Sequence, residues 1–143
     1  MERHRTMKNT RRAAAFLATL TLALSGLGLE ASTAQAAPYS CRDRQLCAYT
    51  GENATGSVFV ITDTRDGYPC DMDFSDNKFA NGTPVKNRVA SMVNKTDSLM
   101  FVSDKTWLSG QLGMVFVDAT VNLSHIRMGD KYGNLAGTAA SAC

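Results

Sequence analysis

Histidine is almost missing from this chain. There are two among 143 residues, His4 and His125. No H-E-x-x-H pair and no other metal-ligand set accompanies them, which removes the usual zinc-hydrolase pattern. No G-x-S-x-G elbow occurs, and a serine triad needs a histidine held by a carboxylate and facing a nucleophilic serine. His125, in "VNLSHIRM", therefore reads as a structural or exposed side chain. Asp71 and Asp73 in "PCDMDFSD" are the nearest approach to paired glycosidase carboxylates, but aspartates alternating in a turn-rich stretch form a solvated face. The chain is expected not to be an enzyme. Tryptophan is scarce too: the single Trp107 argues against a carbohydrate surface built from clustered aromatics.

Charge is unevenly missing. Residues 13–29 carry none and are mostly Ala and Leu. Arg3, Arg5, Lys8, Arg11 and Arg12 precede them, and Ala34-Gln35-Ala36 follows as an A-x-A site. That is the layout of a secretory signal peptide over residues 1–36. Seventeen uncharged residues barely reach across a bilayer, so a secreted protein without a membrane anchor is expected. Five of the 15 basic and two of the 13 acidic residues lie in that segment, leaving 10 against 11 and a net charge of −1 instead of +2. No basic face remains for nucleic acid.

The remainder, residues 37–143, suits one modest domain, at a size where covalent staples help. All four cysteines fall in it. No C-x-x-C knuckle occurs, and an even count in an exported chain argues for two disulfides. Of the three pairings, Cys41 with Cys47 and Cys70 with Cys143 are favoured: one closes a tight loop, the other fastens the last residue to the body.

Helical periodicity is absent after the signal. Short runs rich in Val, Phe, Met and Leu alternate with turns. Strands are expected over Leu46–Tyr49, Ser57–Thr62, Arg88–Asn94, Ser98–Ser103, Met114–Asp118 and Val121–Ile126. Asp66-Gly67, Asn81-Gly82 and Gly129-Asp130 mark turns. This spacing predicts an all-β, antiparallel sandwich. Gly56-Ser57-Val58-Phe59-Val60 returns as Gly113-Met114-Val115-Phe116-Val117, an offset of 57, and Val89-Ala90-Ser91 is echoed by Ala139-Ala140-Ser141. Two halves are implied, about 41–95 and 96–143, packed face to face.

Tyr49, four residues, Ala54, one residue and Gly56 resemble the Y-x-x-x-x-(aromatic)-x-G signature of βγ-crystallin Greek-key motifs. In that family glycine permits a folded-over hairpin, an aromatic covers it and a later serine ties it down. The resemblance gives these structural roles to Tyr49, Gly56 and Ser91, and to Gly113 and Ser141 in the second half. Ala54 replaces the second aromatic, and five extra residues precede Gly113. The early pair in "CRDRQLCAY" and the stretch "NRVASMVNKT" are similar to the exported proteinase inhibitor family typified by the Streptomyces metalloproteinase inhibitor. The resemblance implies a Greek-key sandwich of two motifs, and a secreted monomer inhibiting an extracellular protease, zinc metalloproteases foremost. The alternative is a non-inhibitory exported module acting on carbohydrate, in the envelope or as a toxin-like protein.

Many βγ-crystallin domains bind calcium through (N/D)-(N/D)-x-x-(S/T)-S. The matching stretches here are Lys86–Ser91 and Ala136–Ser141, the first led by an ammonium and the second without leading ligands. Calcium needs six to eight oxygens, so no metal or cofactor is expected. For inhibition the expected contact is Trp107, Leu108 and Ser109 in "SDKTWLSGQ", read as an inserted loop entering a cleft like a substrate. An alternative role for Trp107 is the hairpin aromatic over the second core cluster. A second candidate loop is Tyr68, Pro69, Cys70 and Asp71.

Overall fold

A continuous buried run, Leu46-Cys47-Ala48-Tyr49, opens Leu46–Gly51, which forms strand β1 in the computed structural model, whose described residues are 39–143. The expected signal segment and its cleavage point lie outside them. Strands β2 (Thr55–Ile61), β3 (Thr64–Arg65), β4 (Tyr68–Pro69) and β5 (Ser91–Asn94) complete the first half. β6 (Met100–Ser103), β7 (Leu112–Val115), β8 (Thr120–Asn122), β9 (Ile126–Met128), β10 (Lys131–Gly133) and β11 (Ser141–Ala142) follow. Three short 3₁₀ turns are the only helical pieces among the described residues.

All pairings are antiparallel. One sheet runs β2-β1-β5-β8 and the other β10-β9-β7-β6-β11, with β3-β4 as a separate hairpin. Each half lends a piece to the other's sheet. β8 pairs with β5, while Asp71, from the long connection of the first half, bridges to Ala142 of β11. This is a sandwich of two interlocked Greek keys.

The register corrects the expected repeat. Tyr49 faces Val58 and Leu46 faces Ile61; Ser103 faces Leu112 and Met100 faces Val115. Corresponding residues are therefore 54 apart, and the G-x-V-F-V echo at 57 has no structural counterpart. Gly110, not Gly113, stands where Gly56 does. Seven positions separate Tyr49 from Gly56 and also Ser103 from Gly110, so the supposed insertion of five residues does not exist. Gly113 has another reason to be glycine: it lies opposite Val102 inside β7, where a side chain would come within 2.6 Å of Ile126 Cδ1 and 3.0 Å of Leu135 Cδ1.

The late echo is correctly placed. Ser91 pairs with Tyr49 and Ser141 with Ser103, so the second connection is four residues shorter. The expected strand over Val121–Ile126 breaks at a 3₁₀ turn, Leu123–His125. β3, β4, β10 and β11 are too short to show a period and escaped prediction.

The core lies between the sheets. Leu46, Ala48, Ile61 and Met92 meet Met100, Val102, Val115 and Ile126, and Phe74, Val85, Val89, Leu123 and Leu135 of the connections seal the edges. Burial of this apolar surface drives folding. The outward residues of the first sheet are covered too. Cys47, Tyr49, Val58 and Val93 pack beneath Tyr39 and Cys41, and the Tyr49 hydroxyl donates to the Tyr39 carbonyl at 2.9 Å. A disulfide joins Cys41 to Cys47 there, and a second joins Cys70 to Cys143, the pairings favoured from sequence.

Candidate functional site

Both folded hairpins need two consecutive residues in the left-handed backbone region. In the first these are Asn53 and Ala54, with φ of 54° and 59°; in the second they are Trp107 and Leu108, with φ of 59° and 52°. Left-handed geometry costs an ordinary residue about 1–2 kcal/mol, and asparagine tolerates it better than most. Each hairpin is held by its late serine. Ser91 Oγ accepts from the Ala54 amide at 3.0 Å and donates to the Gly51 carbonyl at 2.6 Å. Ser141 Oγ accepts from the Leu108 amide at 3.3 Å and donates to the Lys105 carbonyl at 2.7 Å.

The second hairpin carries further bonds. Ser103 Oγ accepts from the Lys105 and Gly110 amides, each at 3.2 Å, and Asp104 Oδ1 accepts from the Gln111 amide at 2.8 Å. Ser109 returns its hydroxyl to the Thr106 carbonyl at 2.8 Å. The loop is thus fixed by polar contacts rather than by a buried aromatic.

At the turn the two hairpins differ. The Asn53 amide donates to Asn122 Oδ1 at 2.7 Å, and Asn122 Nδ2 donates back to Asn53 Oδ1 at 3.0 Å. The Trp107 amide donates to the Met72 carbonyl at 2.8 Å, while its indole is 72% exposed. Trp107 does not cap a core cluster. Leu108, half-buried, occupies the place of Ala54, the aromatic position of the signature.

The second candidate loop lies beside the first. β3 and β4 are joined by Asp66-Gly67, both at positive φ, as a two-residue hairpin turn requires. Tyr68 leaves 40% of its surface in solvent, whereas Pro69, Cys70 and Asp71 are buried. Asp71 exchanges two backbone bonds with Ala142, and Met72 then receives the Trp107 amide. Tyr68, Met72, Leu99, Phe101 and Leu108 line a shared open groove of about 380 Å³, with Cys143 at its side.

Asp71 is not one of a catalytic pair. Its Oδ1 accepts from the Asp73 amide at 2.9 Å and its Oδ2 from Asn77 Nδ2 at 2.6 Å. Burial raises its pKa, opposed by the Asp73 amide. Asp73, an exposed cap on the 3₁₀ turn Phe74–Asp76, has its pKa lowered by hydrogen bonds from the Ser75 backbone and side chain. His125 is exposed and stacks on Tyr132 with ring centroids 4.4 Å apart. In the calcium-type stretches, Asn87 and Gly137 match each other at φ of 61° and 70°, so both serve as turn residues. Among the described residues no cluster of three or more His, Cys, Asp or Glu side chains is placed to hold a metal.

Sequence reading named Trp107, Leu108 and the Tyr68 loop but missed Met72 and the groove joining them. Trp-Leu ending two residues before Gly110, like Asn-Ala before Gly56, signals that the two turns are equivalent, but Met72 holds its turn through the backbone and leaves no such signal.

No curated protein matches the chain. A solved structure described as "Evolution of the eye lens beta-gamma-crystallin domain fold" is similar to it, at 12% identity and a TM-score of 0.51, over 73% of this chain and 88% of that one. Such low identity speaks for the fold alone, and the fold is that of a βγ-crystallin domain. Residues 34–113, more than half of the sequence, match the family described as peptidase inhibitor family I36. The match spans the first Greek key and the Trp107 hairpin, and the chain belongs to peptidase inhibitor family I36.

Proposed function

We propose that the protein is a secreted monomer that inhibits an extracellular zinc metallopeptidase through the hairpin Ser103–Gln111, with Trp107 as anchor. One observation carries the reading: a large apolar side chain, 72% exposed, stands on a backbone that disfavours it, in a loop made rigid by hydrogen bonds. No packing requirement explains that choice. Interfaces concentrate their energy in such anchors, aromatic ones above all. A preformed loop also loses little freedom on binding, which raises affinity without added contacts.

The geometry modifies the expected mechanism. An extended, substrate-like run through Trp107-Leu108 needs negative φ, and both residues are left-handed. Trp107 therefore fills the enzyme's apolar pocket as a side chain, while Leu108, Tyr68 and the groove cover the rim. The metallopeptidase target rests on the resemblance of "CRDRQLCAY" and "NRVASMVNKT" to the metalloproteinase inhibitor family. Residues 1–36 act as the export signal, and the two disulfides suit an oxidising compartment.

A second reading, a glycan-binding module, draws on the outer face of the five-stranded sheet. Tyr132 is 63% exposed, and the Arg127 guanidinium lies 5.9 Å from the Phe116 ring centroid. Inhibition assays against thermolysin-like, subtilisin-like and trypsin-like peptidases, beside chitin and glucan pull-downs, separate the two. Inhibition of the first class alone supports the proposal; glycan binding without inhibition of any peptidase replaces it.

A further inference from the structure

The two tying serines are not equally secure. Ser91 sits on β5, four residues long and flanked by β1 and β8. Ser141 sits on β11, two residues long at the edge of its sheet. Short edge segments with few backbone bonds open first. On one side β11 pairs with β6, where Phe101 and Cys143 exchange bonds of 2.7 and 2.8 Å. On the other it bridges to Asp71, with one further bond from the Phe74 amide to the Ala140 carbonyl at 2.8 Å just before it.

Both attachments of the Trp107 turn lead to this place. The Leu108 amide is held by Ser141 and the Trp107 amide by the Met72 carbonyl. Ser141 lies two residues before Cys143, and Met72 two residues after Cys70. The disulfide between those cysteines is the covalent tie between the two segments that grip the turn. The equivalent turn in the first half has no such dependence, because Ala54 is held from β5 and Asn53 by the Asn122 side chain. The other disulfide, Cys41–Cys47, covers the outer face of the first sheet.

We propose that the Cys70–Cys143 disulfide is a positioning device for the inhibitory hairpin, so that reducing it releases the Trp107 turn and weakens inhibition while the sandwich persists. The inference rests on the functional reading above. The reductant is a dithiol: it gives two electrons and two protons, the cystine becomes two thiols, and the dithiol closes to its own disulfide. Cys143 is half-buried at the side of the groove and offers the entry point.

The test compares Cys70→Ser/Cys143→Ser with Cys41→Ser/Cys47→Ser, both well below their melting temperatures. Amide hydrogen exchange at Trp107, Leu108 and Ala54 is read beside the inhibition constant. In the first variant, Trp107 and Leu108 should exchange about tenfold faster or more with Ala54 unchanged, and inhibition should weaken by roughly tenfold or more. The second should leave both readouts at parental values. If Cys70→Ser/Cys143→Ser does not fold, the intact protein under a graded dithiol challenge gives the same exchange readout. Unchanged exchange at Trp107 and Leu108, or equal loss of inhibition in both variants, overturns the proposal. If the parent inhibits no peptidase, the functional reading falls, and exchange alone decides whether the bond positions the turn.

Discussion

Asn53 and Trp107 hold the same place in two equivalent hairpins, 54 residues apart, with φ of 54° and 59°. One is a residue suited to left-handed backbone and locked to Asn122; the other is a bulky aromatic directed to solvent. The fold explains the conformation at both positions. It does not explain the tryptophan.

Trp107→Asn should therefore keep or raise the melting temperature, because it relieves left-handed strain and removes little buried surface. A surface chosen for binding at the expense of stability behaves this way. Thermal unfolding of parent and variant checks it. A fall of several degrees would mean that the indole packs against the domain after all.

The first Greek key was legible in the sequence because its signals agree. Tyr49, Gly56 and the apolar run after it fall at the spacing of the hairpin they build. The second was harder. Ser103 replaces the tyrosine, Leu108 the covering aromatic, and the accidental G-x-V-F-V match drew the register three residues too far. That slip created an insertion that is not there and placed Gly113 at the hairpin position that Gly110 occupies. Trp107 was visible as a residue, but its exposure follows from the true register. The groove depends on β4 and β11, each two residues long, and on a backbone contact from Met72 that no side-chain pattern reveals.

Ser91→Ala and Ser141→Ala should separate stability from function. Each removes a hydroxyl that accepts one bond and donates another, a loss of about 1–3 kcal/mol where the backbone partners stay buried. Ser91→Ala should lower the unfolding free energy and leave inhibition intact at temperatures where the protein is folded. Ser141→Ala should lower both. Equal inhibition constants in the two variants would break the link between the second hairpin and function.

Asp71 and Asp73 should pull the pH dependence of stability in opposite directions. Burial places the folded pKa of Asp71 above its unfolded value, so its contribution is present below the unfolded pKa and is lost as pH rises through the folded one. Hydrogen bonds from Ser75 place the folded pKa of Asp73 below its unfolded value, so its contribution is present above the unfolded pKa and is lost as pH falls through the folded one. Urea unfolding between about pH 2 and 6 should show the parent gaining on Asp71→Asn, and losing ground to Asp73→Asn, as the pH falls. Parallel trends would contradict this.

Calcium should leave the melting temperature unchanged at millimolar concentration, since a ligand bound only by the folded form must raise it. Lys86 heads the first calcium-type stretch and lies 3.9 Å from Asp73, while Asn87 is engaged as a turn residue. A rise abolished by Asn87→Ala would reveal a working site.

The central claim is that the Trp107 hairpin is the surface that stops a zinc peptidase, and the inhibition constant of the parent beside Trp107→Ala tests it most directly. Against a thermolysin-like enzyme the parent should inhibit at stoichiometric concentrations. Trp107→Ala should unfold like the parent yet inhibit more weakly by about 2 kcal/mol or more, roughly thirtyfold in the constant. Equal inhibition by parent and variant, with both fully folded, would place the inhibitory contact elsewhere on the molecule and contradict the account.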